Sequence, residues 1–116
     1  MNGSTLNSET SKSISLESIE SREILTGFNG KFIHSDNLTL AYWDIDEGAS
    51  LPEHAHEHEQ VVNMLEGEFE ITVGGNPLSL KPGDVVVIPG NVPHSGRAIS
   101  KCRILDVFSP ARDDYR

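Results

Sequence analysis

From about Ser21 onward, glycine and proline turns cut this chain into short stretches of alternating apolar and polar residues. That rhythm constrains the fold more than any other feature. Leu38 to Asp46 reads as a strand ended by Glu47-Gly48, and Glu59 to Leu65 as another ended by Glu66-Gly67. Glu68 to Val73 follows with Phe69, Ile71 and Val73 on one face, because strand side chains alternate in direction. Gly74-Gly75-Asn76 is a hairpin signal. Pro77 to Leu80, the Pro82-Gly83-Asp84 turn, Val85 to Ile88, the Pro89-Gly90-Asn91 turn and Lys101 to Ser109 complete the series. Helical periodicity is absent beyond the N-terminal region, so the pattern predicts an all-β sandwich or barrel.

The 116 residues allow a single domain. Residues 1–20 read as a polar arm and 21–116 as the barrel domain. Met1 to Ser18 is rich in Ser, Thr, Asn and Glu, a composition that buries little. Ile14, Leu16 and Ile19 can still alternate along a strand added to a sheet edge.

A net charge of −9 argues against a nucleic-acid partner, which calls for a basic stripe, and against anionic membrane surfaces. An acidic substrate would need local positive charge to offset this field. The single cysteine, Cys102, cannot form an intrachain disulfide and reads as a buried thiol. No apolar run reaches membrane-span length, and no basic start with an apolar signal core is visible. The expected location is the cytoplasm.

Chemistry concentrates in Gly48-Ala-Ser-Leu-Pro-Glu-His54-Ala-His56-Glu-His58-Glu59-Gln60, with His94 later in the chain. His54 and His56, two residues apart on a strand, point to the same face. Two imidazoles converging on an interior point suit a divalent metal better than an apolar core, because each ring nitrogen needs a partner. His94 completes a plausible set. His58 continues the alternation but reads as a turn residue, solvated or behind the ligands. His34 has no evident role.

The stretch from Gly48 through His54, His56 and Gln60 to Gly67 resembles the first cupin motif, and Gly83 through Pro89 to His94 resembles the second. The resemblance implies a cupin jelly-roll β-barrel holding one divalent transition metal (Ni, Zn, Co, Mn or Fe) on His54, His56, Gln60 and His94. Gln60 stands where most cupins place glutamate, Asn91 where glycine is usual, and Ala98 where asparagine is common. A neutral amide with three neutral imidazoles leaves the metal its full charge, which favours an anionic substrate over oxygen activation. Glu59 competes with Gln60 but points to the opposite face of a regular strand.

The C-terminal stretch Asp106-Val-Phe108-Ser-Pro-Ala-Arg112 is the second informative feature. Asp106 and Phe108 share a strand face, and a buried carboxylate needs a partner or a task. Arg112 could instead simply pair with Asp113 or Asp114. Together with His54 to Gln60 and Leu65-Glu-Gly-Glu-Phe69, this stretch resembles the KdgF-type cupins of pectin and alginate breakdown. Those proteins open and ketonise 4,5-unsaturated uronates. The resemblance implies that Asp106, Phe108 and Arg112 are the catalytic or substrate-contacting residues. The chemistry suits Asp106 as the proton shuttle, Phe108 as packing on the sugar and Arg112 as holding its carboxylate, with Arg97, just after His94, a weaker candidate for the same anion. It also implies a small anionic sugar-acid substrate, and small cupins often pair, so a homodimer is expected. The alternatives are an isomerase or dioxygenase acting on another small molecule, and a non-catalytic small-ligand-binding cupin.

Overall fold

The computed structural model describes residues 3–5 and 11–116, with side chains from residue 11 onward. Its strands are β1 (Gly3–Thr5), β2 (Arg22–Leu25), β3 (Phe28–His34), β4 (Thr39–Ile45), β5 (Ser50–His54), β6 (Glu59–Glu66), β7 (Phe69–Val73), β8 (Asn76–Leu80), β9 (Val85–Ile88), β10 (His94–Ala98) and β11 (Cys102–Ser109). Seven of them form a sheet of order β1-β3-β4-β11-β6-β9, with β2 also on β3, and four form a second sheet, β5-β10-β7-β8. All pairings are antiparallel except β1 on β3. The two layers make a jelly roll. Its core mixes Phe32, Trp43, Ile104 and Phe108 of the larger sheet with Phe69, Ile71 and Leu80 of the smaller.

Alternation explains which residues form this core. In β3 and β4 every second side chain is buried, from Phe28 to His34 and from Thr39 to Ile45. The same pattern in β11 turns Cys102, Ile104, Asp106 and Phe108 inward. The strands expected at Leu38–Asp46, Glu59–Leu65 and Lys101–Ser109 differ from those observed by a residue at their ends. The glycine turn between β7 and β8 has both central residues in the left-handed region, Gly74 at φ 55° and Gly75 at φ 81°. With Val73 opposite Asn76, this is a two-residue type I′ loop, whose twist matches the strands it joins.

The N-terminal region departs from expectation. Leu16–Ser18 forms a turn of 3-10 helix instead of continuing an edge strand, capped by Ser15, whose side chain accepts from the Glu17 N–H. Lys31 Nζ donates to the Leu16 carbonyl at 3.0 Å, and Ile19 is buried. The remainder of the polar arm, Met1, Asn2 and residues 6–10, lies outside the described residues. Among the described residues no helix is long and apolar enough to cross a membrane.

Candidate metal centre

Strand pairing assembles the histidines. β5 and β10 run antiparallel with His54 directly opposite His94. His56 lies two residues beyond the end of β5, so the expectation that His54 and His56 share one strand is corrected. The chain leaves the ladder there because the Asn91 N–H donates to the His56 carbonyl at 2.7 Å. Gly90 also packs against the Glu57 carbonyl, where a Cβ would collide. The turn nevertheless returns the ring to the site. Ring centroids are 4.3 Å apart for His54 and His94, 4.9 Å for His56 and His94, and 5.6 Å for His54 and His56. One ring nitrogen from each of the three lies within 4.8 Å of the others.

The tautomers follow from the main chain. Nδ1 of His54 is 3.0 Å from the Pro52 carbonyl, Nδ1 of His56 is 3.0 Å from the His58 carbonyl, and Nδ1 of His94 is 2.9 Å from the Val92 carbonyl. A carbonyl only accepts, so each Nδ1 carries the proton and each neutral ring presents a lone pair at Nε2. His94 Nε2 is buried and has no hydrogen-bond partner. His56 Nε2 faces Gln60 Oε1 at 3.1 Å, which sets two acceptors against each other. A shared cation relieves that opposition. Three oriented lone pairs and an amide oxygen around one point fit a divalent transition metal, and the carbonyls holding each Nδ1–H are the partners that orient such ligands.

Their surroundings keep the His56 and His94 rings neutral. Burial, the Arg112 charge and His94 push His56 down to about 4, against the opposing effect of its contacts with the His58 carbonyl and Gln60. Burial is also the main cause lowering His94. Both are therefore competent ligands at neutral pH. Gln60 is buried on the inner face of β6, whereas Glu59 is exposed on the other. His58 contributes its carbonyl to His56, and its ring meets the His56 ring edge-on at 5.6 Å.

Beside the histidines lies a cavity of about 70 Å³, partly open to solvent. His54, Gln60, His94, Asp106, Phe108 and Arg112 all line it. Asp106 sits centrally on β11, opposite Val62 of β6 and Ala41 of β4. Its Oδ2 accepts from Trp43 Nε1 at 3.0 Å, while its Oδ1 is buried and unpaired. Burial pushes this carboxyl up to about 7, opposed by Gln60, the Trp43 indole and the Arg112 charge. A carboxyl that changes charge near neutral pH is suited to moving a proton. Phe108, two residues on, is buried with its ring edge-on to His56 at 5.7 Å.

Arg112 has two relationships. Its guanidinium lies 4.8 Å from the centre of the Phe108 ring and 4.2 Å from that of Tyr115. Its Nε and Nη2 also donate to Asp114, at 3.1 and 2.6 Å, so the pairing weighed from the sequence occurs as well. Arg97 is exposed on β10 and absent from the cavity lining, which removes it as the alternative anion partner.

A cupin domain model matches residues 41–108, more than half of the chain. The chain belongs to the cupin family. Pectin degradation protein KdgF of Dickeya dadantii is 31% identical over 96 residues, covering 80% of this chain and 87% of that protein. Among solved structures, KdgF from Halomonas sp. superposes with a TM-score of 0.87 at 29% identity, covering 92% of this chain and 100% of that one. An RmlC-like cupin from Shewanella frigidimarina superposes with a TM-score of 0.85 at 32% identity, covering 91% of this chain and 97% of that one. This cupin is thus KdgF-like.

Among the lining residues of this cupin's cavity that sequence reasoning missed are two aromatics with polar tips, Trp43 and Tyr115. Trp43 could have been found from its place on the inward face of a strand, as an indole N–H needs a partner when buried. Tyr115 follows a proline break and carries no periodic signal. Its ring packs on Phe32 at 4.7 Å, and burial raises its hydroxyl above the usual phenol range.

Proposed function

We propose that this cupin opens and ketonises the ring of 4,5-unsaturated uronates released from pectin or alginate. The observation that carries the reading is Asp106: a buried carboxyl with one unpaired oxygen, sharing a cavity with His54 and His94, two of the three clustered imidazoles. A non-catalytic binder has little use for such a group. The KdgF names of its similar proteins support the same substrate class.

The residues divide the work. Arg112 supplies positive charge at the cavity wall that the acidic chain otherwise lacks, and attracts the uronate carboxylate. Phe108 and Trp43 pack against the ring. Asp106, ionised, takes the proton of the anomeric hydroxyl through Oδ1. The anomeric C–O bond to the ring oxygen breaks as the new aldehyde C=O forms, and the ring oxygen departs as an enolate. Asp106 then returns the proton to the carbon of the former double bond, leaving a ketone. Atoms and electrons balance without an oxidant. A divalent ion held by His54, His56, Gln60 and His94, one of Ni, Zn, Co, Mn or Fe, supplies Lewis-acid polarisation of the substrate oxygens.

The test is loss of the conjugated-alkene absorbance when purified protein is mixed with a 4,5-unsaturated galacturonate, with a guluronate- or mannuronate-derived analogue alongside. Turnover well above buffer is expected; a rate equal to buffer with both would remove the reading.

Within the same proposal the protein acts in the cytoplasm as a homodimer. Ile33, Leu40, Val107, Val61 and Val87 lie in one cross-strand row on the outer face of the larger sheet. Val87 and Val85 are 54% and 59% exposed at its edge, so the row is an apolar patch open to a second copy. Sedimentation equilibrium should give twice the chain mass, and Val61→Glu should give monomers. A monomeric wild type would exclude this assembly.

A further inference from the structure

His34 takes no part in the reaction above, yet it is 1% exposed, as buried as His94. It ends β3 opposite Thr39, the first residue of β4. Its Nε2 lies 3.2 Å from the main-chain carbonyl of Tyr115. That carbonyl can only accept, so Nε2 carries the proton. Nδ1 then holds the lone pair and accepts from the Thr39 hydroxyl at 2.9 Å. With its own proton committed to His34, Thr39 Oγ1 accepts the Arg112 N–H at 2.8 Å. Arg22 Nη2 donates to the same Tyr115 carbonyl at 2.7 Å.

These bonds run in one direction, from the Arg112 N–H through Thr39 and His34 to the Tyr115 carbonyl. They tie both ends of residues 112–115 to the β3–β4 turn. That short strap carries Arg112 and Tyr115, which line the cavity. Apolar side chains would fill the same volume without selecting a direction for the strap. A buried polar network, fully satisfied, rigidifies and specifies one geometry. Burial holds His34 below its usual value, assisted by Arg116 and Arg22 and opposed by the Tyr115 carbonyl and Asp113, so the ring stays neutral and the relay keeps its polarity.

We propose that His34 is a positioning residue: through Thr39 and the Tyr115 carbonyl it holds the C-terminal strap so that Arg112 and Tyr115 face the bound sugar acid. The identity of the ligand rests on the uronate reading above; the holding of the strap does not. Neither His34 nor Thr39 touches the cavity, so both act only through what they hold.

The experiment compares Thr39→Val, which keeps the shape and removes the hydroxyl, with Thr39→Ser, which keeps it, and with His34→Gln. Amide hydrogen exchange at Arg112 to Arg116 is measured in the full chain, together with kcat, KM and bound metal. Thr39→Val should speed exchange of the Arg112 amide by about tenfold or more, the scale of one lost buried hydrogen bond. It should raise KM for the uronate by about the same factor while kcat changes less than about twofold and metal content holds. Thr39→Ser should restore both, and His34→Gln should resemble Thr39→Val. Wild-type exchange and KM in Thr39→Val would overturn the proposal, as would equal losses in the valine and serine variants. If the wild type turns over no uronate, the reaction proposal falls alone. Exchange then decides the strap: protection lost in valine and kept in serine supports it, and equal protection refutes it.

Discussion

Replacing Asp106 with asparagine should stabilise the metal-free protein while abolishing turnover. Burial raises the carboxyl from its ordinary 3.8 to about 7. The unfolded chain therefore releases this proton near the lower value, and the folded protein retains it up to the higher. Between the two the folded state binds more protons, so its stability falls as pH rises, and the loss is complete above about 7. At 1.36 kcal/mol per pH unit, that interval corresponds to about 4 kcal/mol. Asparagine has the same shape, can still accept from Trp43 Nε1 and is neutral throughout, so it escapes this cost. His56, lowered to about 4, works in the other direction: its contribution is present above 6.5 and lost as pH falls through about 4. Wild type and variant share that effect, and it cancels in their difference. Urea denaturation of chelator-treated proteins across this pH range measures the difference directly. The curves should meet at acid pH and diverge by about 4 kcal/mol at pH near 8, the variant being the more stable. A constant offset at every pH would refute the raised carboxyl and with it the reason for choosing Asp106 as the proton carrier.

Other substitutions test other parts of the site. His94→Ala removes the buried unpaired Nε2, so elemental analysis should find bound divalent metal far below one ion per chain; full occupancy would contradict the ligand set. Arg112→Lys loses the two-pronged contact with Asp114 and the stacking on Phe108 and Tyr115, and should raise KM about tenfold with metal content unchanged. Phe108→Ala should cost about 3–5 kcal/mol in urea denaturation, because a 2%-exposed ring leaves the core beside His56. Gly90→Ala would set a methyl group against the Glu57 carbonyl and displace the turn that carries His56. It should weaken metal affinity in a titration while the far-ultraviolet spectrum stays that of the wild type.

Local order was legible because strand alternation and turn chemistry are properties of a few neighbouring residues. The alternation from Thr39 to Ile45 and from Cys102 to Ser109, and the paired glycines at 74 and 75, are enough to mark strands, inward faces and a hairpin. The same alternation sets Gln60 and Glu59 on opposite faces of β6. Long-range pairing carries no such local mark. His94 meets His54 because β10 pairs with β5 in one register, and His56 reaches them from a turn bent by Gly90 and Asn91. Tyr115 lines the cavity from a segment whose ends bond to His34, Thr39 and Arg22, residues far away in the chain. The sequence by itself determined the all-β character, the inward residues and the chemistry available; the tertiary structure decided which of those groups meet, since strand register is set by packing between segments no local preference can see.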